Sequence, residues 1–257
     1  MHIEIIGAGA SGVELAGELA VSLPLLAQEH HFNKAQIKLD LIEAAPRVMP
    51  LMAEEVSAKI LTRLESLGVR VLTGRQVVKE DVSALYLKDQ KIPSKTVVWT
   101  AGIKAHGLLP SIEGLPLDAR GRVVVNPHMQ LEGYPHVYAL GDIAVTKYGG
   151  MVRTALDHAM VAAYNIGHLA QKKTLVDYLP ILPIYGIPIG PGWAAVIDGH
   201  RQYYGSLGWA KRRHLDWLFL RSILPRQRAL LAWQSGKRLS DSCTICAPLE
   251  AKTAPYN

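Results

Sequence analysis

The chain has 257 residues, 49% of them hydrophobic and 19% charged, a composition that excludes a disordered or collagen-like chain and leaves ample length for a buried core. Two cysteines, both near the end, provide no disulfide framework and suit a reducing compartment. The formal net charge of +6 is unevenly distributed: Arg201 to Arg238 hold nine Lys/Arg against the single acid Asp216, a net +8, leaving −2 for the remainder. The start, Met1-His2-Ile3, reads directly as a strand, with none of the basic-then-apolar pattern of a signal peptide.

In chain order, the apolar run Ile3-Glu4-Ile5-Ile6 predicts a strand over residues 2–6, followed by the glycine fingerprint Gly7, Gly9, Gly12 and a helix from about Ser11. Val13, Leu15, Ala16, Leu19 and Ala20 are its candidate buried positions. Residues 37–42 alternate with period two and predict a second strand ending at Glu43. Val56, Ile60, Leu61, Leu64 and Leu67 share one face of a helix over 53–67, with Gly68 as its stop. Short strands are expected near 69–73, 76–79, 84–88 and 96–100, the last ending at Ala101 and Gly102. Beyond about 104 the texture changes: residues 115–125 read as a turn and a strand, 136–140 as another strand, and 153–170 as a helix. Residues 178–197 carry no formal charge but contain four prolines and three glycines, so loops and short buried strands are expected there instead of a membrane-spanning helix.

A glycine loop between strand and helix lets backbone amides and the positive helix end approach a pyrophosphate. Glu43, at the end of the second strand, is the candidate to accept hydrogen bonds from the adenosine ribose, and its charge would favour NADH over NADPH. It lies about 30 residues after Gly12, where about 20 is usual, so a longer helix and connection are expected, with Pro24 and the polar residues 28–31 fitting that. Glu14 falls in the expected first helical turn; the residues alone allow either an ordinary helix-terminal acid or a functional carboxylate.

Residues 6–19, IGAGASGVELAGEL, closely resemble the NADH-binding loop of type II NADH dehydrogenases, flavoproteins that pass electrons from NADH to membrane quinone in respiratory chains. Three further segments occur in that family's order: VWTAGI at 98–103, GRVVVN at 121–126, and YPHVYALGDIA at 134–144. The resemblance implies a Rossmann-like α/β fold: an NADH-binding domain over 1–103, the C-terminal half of an FAD-binding domain over 104–172, and a C-terminal amphipathic helical membrane-association region with its tail over 173–257. It implies that Ala101 and Gly102 border the NADH cleft, and that Gly141 and Asp142 hold FAD. Glu14 would act catalytically near the isoalloxazine and nicotinamide rings, and quinone would be reduced near Glu14 and the 153–163 helix.

Two departures from the family pattern stand out. The resemblance leads one to expect a preceding strand–loop–helix unit binding the ADP half of FAD, and none is seen here. The family's glutamines on the helix after the flavin motif are also missing, with Asp157 and His158 in their neighbourhood. The strands at 120–125 and 137–140 should therefore expose sheet edges and apolar surface, giving self-association, a homodimer, or a partner chain that completes the FAD domain.

Residues 211–233 combine cations with Trp217, Leu218, Phe219, Leu220, Ile223, Leu224, Leu230, Leu231 and Trp233, and Pro225 divides them into two helices. Such a basic, Trp-bearing pair suits a membrane surface, although two ordinary packed helices have the same pattern; the resemblance favours a peripheral position on the cytoplasmic face of the cell membrane. Nucleic acid is not an expected partner. Cys243 and Cys246 form half a metal site and are assigned no role; no metal ligand set is identified. Two rival readings remain: a non-catalytic NADH-binding module that holds no FAD, and a related sulfide:quinone or apoptosis-inducing-factor-like oxidoreductase. The absence of any cysteine before Cys243 weighs against the sulfide branch.

Overall fold

A computed structural model describes residues 1–235; Cys243 and Cys246 lie outside the described residues. The described residues form two compact units, one made of residues 1–102 together with 185–235, the other of residues 103–184. The three consecutive regions expected from sequence thus become two, because the chain returns to the first unit after leaving it.

The first unit opens with β1 (His2–Ile6), α1 (Ala10–Glu29), β2 (Lys38–Ile42), α2 (Glu54–Ser66) and β3 (Arg70–Leu72). β4 (Val77–Asp81), β5 (Ala84–Leu87) and β6 (Lys91–Pro93) then form an antiparallel sheet, and β7 (Thr96–Trp99) rejoins the first strands. The main sheet has the order β3-β2-β1-β7 with every pairing parallel. Alternation along β1 sorts its residues: Ile3 and Ile5 pack with Val13, Ala16, Val56, Ile60 and Leu64 from the two helices. Ile6 points the other way, joining Ile42 against Leu85, Leu87 and Ile92 of the antiparallel sheet. Of the expected buried positions on α1, Leu15, Leu19 and Ala20 are only partly buried. The helix continues through Pro24 to Glu29, so the long β1–β2 interval is mostly helix. Glu14 accordingly lies in the second turn, not the first.

The second unit contains β8 (Gln130–Leu131), β9 (Tyr134–Tyr138) and α3 (Val152–Ala170). Of the turn and strand expected over 115–125, the turn forms, while the strand at 120–125 reduces to two isolated bridges, Leu117 to Val123 and Val123 to Ala144. Asp118 explains this: its carboxylate accepts the Arg120 and Arg122 amides, both through Oδ1, at 2.9 and 2.8 Å and pairs with the Arg122 guanidinium. That local turn, with Gly121 at φ +75°, outcompetes a sheet ladder. Val123, Leu131 and Ala139 form the buried cluster here, with Leu109, Leu115, Leu117 and Val125 around it.

The chain then returns to the first unit as β10 (Tyr185–Pro188), β11 (Ala194–Asp198) and β12 (Arg201–Tyr203), an antiparallel sheet, followed by α4 (Gly205–Ile223) and α5 (Arg226–Ser235). Ile187, Ile189 and Ala195 enter the same core as β1 and α1. Gly17 permits that approach, since a Cβ there would lie 2.7 Å from Ile189 Cγ2 and 2.9 Å from the Gly190 amide nitrogen. The uncharged stretch is therefore divided: residues 178–184 are mostly exposed and irregular, and the hairpin begins at Tyr185, with Ile187, Ile189 and Ala194 to Val196 buried.

Candidate functional site

The carboxyl ends of β1, β2 and β7 bring together Gly7, Gly9 and Gly12, Glu43, and Ala101 with Gly102. Because β2 and β7 flank β1 on opposite sides, this edge is the point where the chain order reverses, the position where open α/β sheets bind ligands. Gly7 has φ +102°, and a Cβ there would lie 2.7 Å from Ala101 Cα. At Gly12 a Cβ would fall 1.9 Å from the Gly7 carbonyl oxygen, so only glycine lets helix and loop meet. Gly9 is different: a Cβ there would meet nothing within 4 Å. It caps α1 without a side-chain hydrogen bond, and the first-turn amides of a helix lack intrahelical partners. Open space over a positive helix end fits a pyrophosphate.

Glu43 is half-buried and accepts the Ala8 amide on Oε2 at 2.7 Å and the Ala45 amide on Oε1 at 2.8 Å. It thereby ties the glycine loop to the end of β2. A carboxylate has about four lone-pair sites, so these bonds leave acceptor capacity for ribose hydroxyls. Ala101 and Gly102 are exposed beside the loop, and Gly102 takes φ +107°. Sequence reasoning missed Thr100, whose Oγ1 lies 2.9 Å from the Ile6 carbonyl oxygen and 2.8 Å from that of Gly7. That hydroxyl pins the loop from the neighbouring strand, and only the strand pairing reveals it.

Glu14 is half-buried and faces a partner that the sequence does not disclose. Burial pushes its carboxyl up to about 7, while the positive charge of Arg212 pulls it back down. Arg212, on α4, donates from Nε to the Gly186 carbonyl oxygen at 3.0 Å and pairs with Asp216. Burial lowers the guanidinium's own pKa and Glu14 opposes that. A carboxyl poised near neutrality can take up or release a proton under working conditions.

In the second unit, Gly141 (φ +65°) and Asp142 begin a single helical turn, Gly141–Ile143. Asp142 is exposed, a carboxylate with acceptor capacity for the hydroxyl groups of a polar ligand. On α3, Asp157 is engaged by Arg153 at 3.0 Å, and His158 is fully buried, turned into its own unit. In the first unit, α4 and α5 enclose a groove of about 520 Å³ lined by Trp209, Arg213, His214, Trp217, Leu230 and Trp233. Arg213 stacks on Trp233 at 4.6 Å, and Trp233 Nε1 donates to the Arg213 carbonyl oxygen at 2.7 Å. Leu207, Leu218, Ile223, Leu230 and Leu231 are exposed on these helices. Among the described residues one helix, α1, is long and apolar enough to cross a membrane by length and composition, and its inner face packs in the core of the nucleotide fold.

Residues 1–165 match the family described as pyridine nucleotide-disulphide oxidoreductase. Similar curated proteins include a type II NADH:quinone oxidoreductase of Staphylococcus saprophyticus, 30% identical over 70% of this chain and 46% of its own length. Another is the type II NADH:quinone oxidoreductase Ndh of Mycobacterium tuberculosis, 32% identical over 63% of this chain and 37% of its own length. The chain spans about half the length of the curated relatives it matches or less. Among solved structures, NDH2 from Plasmodium falciparum in complex with NADH superposes with a TM-score of 0.74 at 14% identity, over 92% of this chain and 65% of that one. That likeness shows a shared fold, and the family match extends over well over half of the sequence: the chain belongs to the pyridine nucleotide-disulphide oxidoreductase family.

Proposed function

We propose that this chain carries the NADH-binding part of an NADH:quinone oxidoreductase, together with the flavin-facing turn at Gly141 and Asp142. The observation that carries the reading is the convergence of the open Gly9 loop, Glu43 and the Ala101–Gly102 turn on the carboxyl edge of one parallel sheet. The relatives named type II NADH:quinone oxidoreductases support the choice of NADH and quinone. In this reading the first-turn amides of α1 hold the pyrophosphate, and Glu43 accepts the ribose hydroxyls and repels a 2′-phosphate. Ala101 and Gly102 border the nicotinamide end. Asp142 orients FAD, which when bound supplies the two-electron chemistry that links NADH to an acceptor. Glu14 holds or releases a proton at its carboxyl, its charge balanced by Arg212. The exposed leucines and arginines of α4 and α5 seat the protein peripherally on the cytoplasmic face of a membrane, where quinone resides. Apolar residues exposed on the second unit, including Val137, Met160 and Ile166, serve a homodimer or a partner chain that completes the flavin site.

The test is a visible absorption spectrum of the purified chain after incubation with FAD, recorded before and after anaerobic addition of NADH. Flavin absorption that bleaches with NADH supports the oxidoreductase. NADH binding without any retained flavin reduces the chain to a nucleotide-binding module, and failure to bind NADH overturns the reading altogether.

A further inference from the structure

The Gly141–Ile143 turn is held from both sides. The Val123 amide donates to the Ile143 carbonyl oxygen at 2.7 Å and the Val145 amide to that of Val123 at 2.8 Å, which fixes the far end of the turn. Its near end is held by a side chain: the Gly141 amide donates to His158 Nδ1 at 3.1 Å. The other ring nitrogen, Nε2, lies 3.2 Å from Thr146 Oγ1, and the ring meets the Tyr178 ring edge-on at a centroid distance of 4.5 Å. His158 has no exposed surface.

A backbone amide can only donate, so Nδ1 must present its lone pair. The ring proton therefore sits on Nε2, where Thr146 Oγ1 accepts it. One tautomer satisfies both contacts, and a charged imidazolium satisfies only one of them. Burial lowers the pKa of the ring and the charge of Asp157 opposes that, while Arg153 engages Asp157 and Tyr178 is the titratable group facing the ring across the unit. The neutral, single-tautomer ring is thus the form suited to its surroundings.

We infer that His158 is a positioning residue for the flavin-facing turn: as the Nε2-protonated tautomer it locks Gly141 from α3 and sets the direction in which Asp142 is presented. This rests on the reading that Asp142 meets FAD, and it gives α3 a task other than lining a quinone entrance. Asp142 itself is exposed, so the order of the turn comes from its two ends, one of which is this ring. A net hydrogen bond contributes about 0.5–1.5 kcal/mol and a tenfold change corresponds to about 1.4 kcal/mol, so its loss should be visible as a fold-change of up to about ten.

The experiment uses the full chain labelled with ¹⁵N. The imidazole spectrum of the unmutated protein should show an unprotonated Nδ1 and a protonated Nε2, and the His158→Leu variant should exchange its Gly141 amide about tenfold faster. His158→Asn places Oδ1 where Nδ1 was and should restore slow exchange to within about threefold. FAD affinity, read by flavin fluorescence, should follow the same order, weakened about tenfold by Leu and recovered by Asn. A protonated Nδ1 in the unmutated protein overturns the inference, as does Gly141 exchange that is equal in the Leu and Asn variants. If the Leu variant does not fold, His158→Gln, whose polar end reaches past the Nδ1 position, takes its place against Asn. A chain that binds no FAD, but whose Gly141 exchange responds as described, overturns the flavin reading while supporting the lock.

Discussion

Glu4 lies in the interior of a parallel sheet with no exposed surface, and strand register sets Asp40 beside it and Arg70 beside Asp40. His2 Nε2 is 2.9 Å from Glu4 Oε1 and equally close to Asp40 Oδ2. Arg70 already neutralises Asp40 through a two-point contact. Burial and the adjacent Asp40 push the Glu4 carboxyl up to about 8, so at neutral pH the native state keeps a proton that an unfolded chain, titrating near 4.5, releases. The native state binds more protons throughout that window, so the stability is fully present below about pH 4.5 and is lost as pH rises toward 8. Unfolding followed by urea should show stability falling by up to ~1.4 kcal/mol per pH unit between pH 5 and 8. Glu4→Gln should flatten that slope and be the more stable form at pH 8; an unchanged slope would remove Glu4 as its source. Glu14 tests a second electrostatic claim. Arg212 lowers its pKa against the effect of burial, so Arg212→Gln should move the Glu14 carboxyl titration, followed by ¹³C NMR, upward from about 7. A downward or null shift would show that the guanidinium does not act on it.

At the scale of elements, α1 and the β10–β11 hairpin approach closely at Gly17. Gly17→Ala would drive a methyl into Ile189 and the Gly190 amide, and relief requires backbone movement because two of the nearest atoms are main chain. A cost of ~1–3 kcal/mol is expected, read as a lower urea midpoint with unchanged slope; a neutral effect would mean that the hairpin is not seated on α1. Thr100 acts on the site itself: Thr100→Val keeps the shape but removes the hydroxyl beneath the Gly7 carbonyl. NADH affinity should fall about five- to tenfold, the worth of about one hydrogen bond, and equal affinity would exclude an anchoring role. Long periodic segments are legible in the sequence itself: α2 runs 54–66 against an expected 53–67, and α3 runs 152–170 against 153–170. Short-range signals are weaker. β6 has three residues, too few to show a period, and of the turn and strand expected over 115–125 the Asp118 turn forms while the strand does not extend beyond isolated bridges. The glycine loop and Glu43 can be read because backbone geometry restricts which residues serve there. Thr100, Arg212 and His158 cannot, because each acquires its meaning from a partner that only the tertiary packing sets beside it.

For the whole molecule the decisive pattern is the concentration of positive charge in one late segment. The segment from Arg201 carries the excess of positive charge, and on α4 and α5 Arg221, Arg226 and Arg228 are exposed alongside Leu218, Ile223, Leu230 and Leu231. Only Gly208 on α4 and Ala229 on α5 are buried, so these helices leave much of their apolar surface uncovered. Cations and leucines interleaved on one pair of helices favour an anionic lipid surface, with each basic group contributing ~1 kcal/mol near it. Sedimentation with vesicles should therefore show binding to mixtures of anionic and zwitterionic lipid that weakens as salt rises from 0.05 to 0.5 M, roughly the range over which screening shortens below 10 Å. Replacing Arg226 and Arg228 by Gln should weaken partitioning about thirtyfold, corresponding to ~2 kcal/mol, without altering NADH affinity, since neither arginine belongs to the glycine-loop site. Equal binding to purely zwitterionic vesicles would leave only the leucines as the anchor. No binding to either vesicle would show that this surface is covered by protein instead, and concentration-dependent self-association, abolished by Leu230→Lys and Leu231→Lys, would then identify a second copy of the chain as the cover.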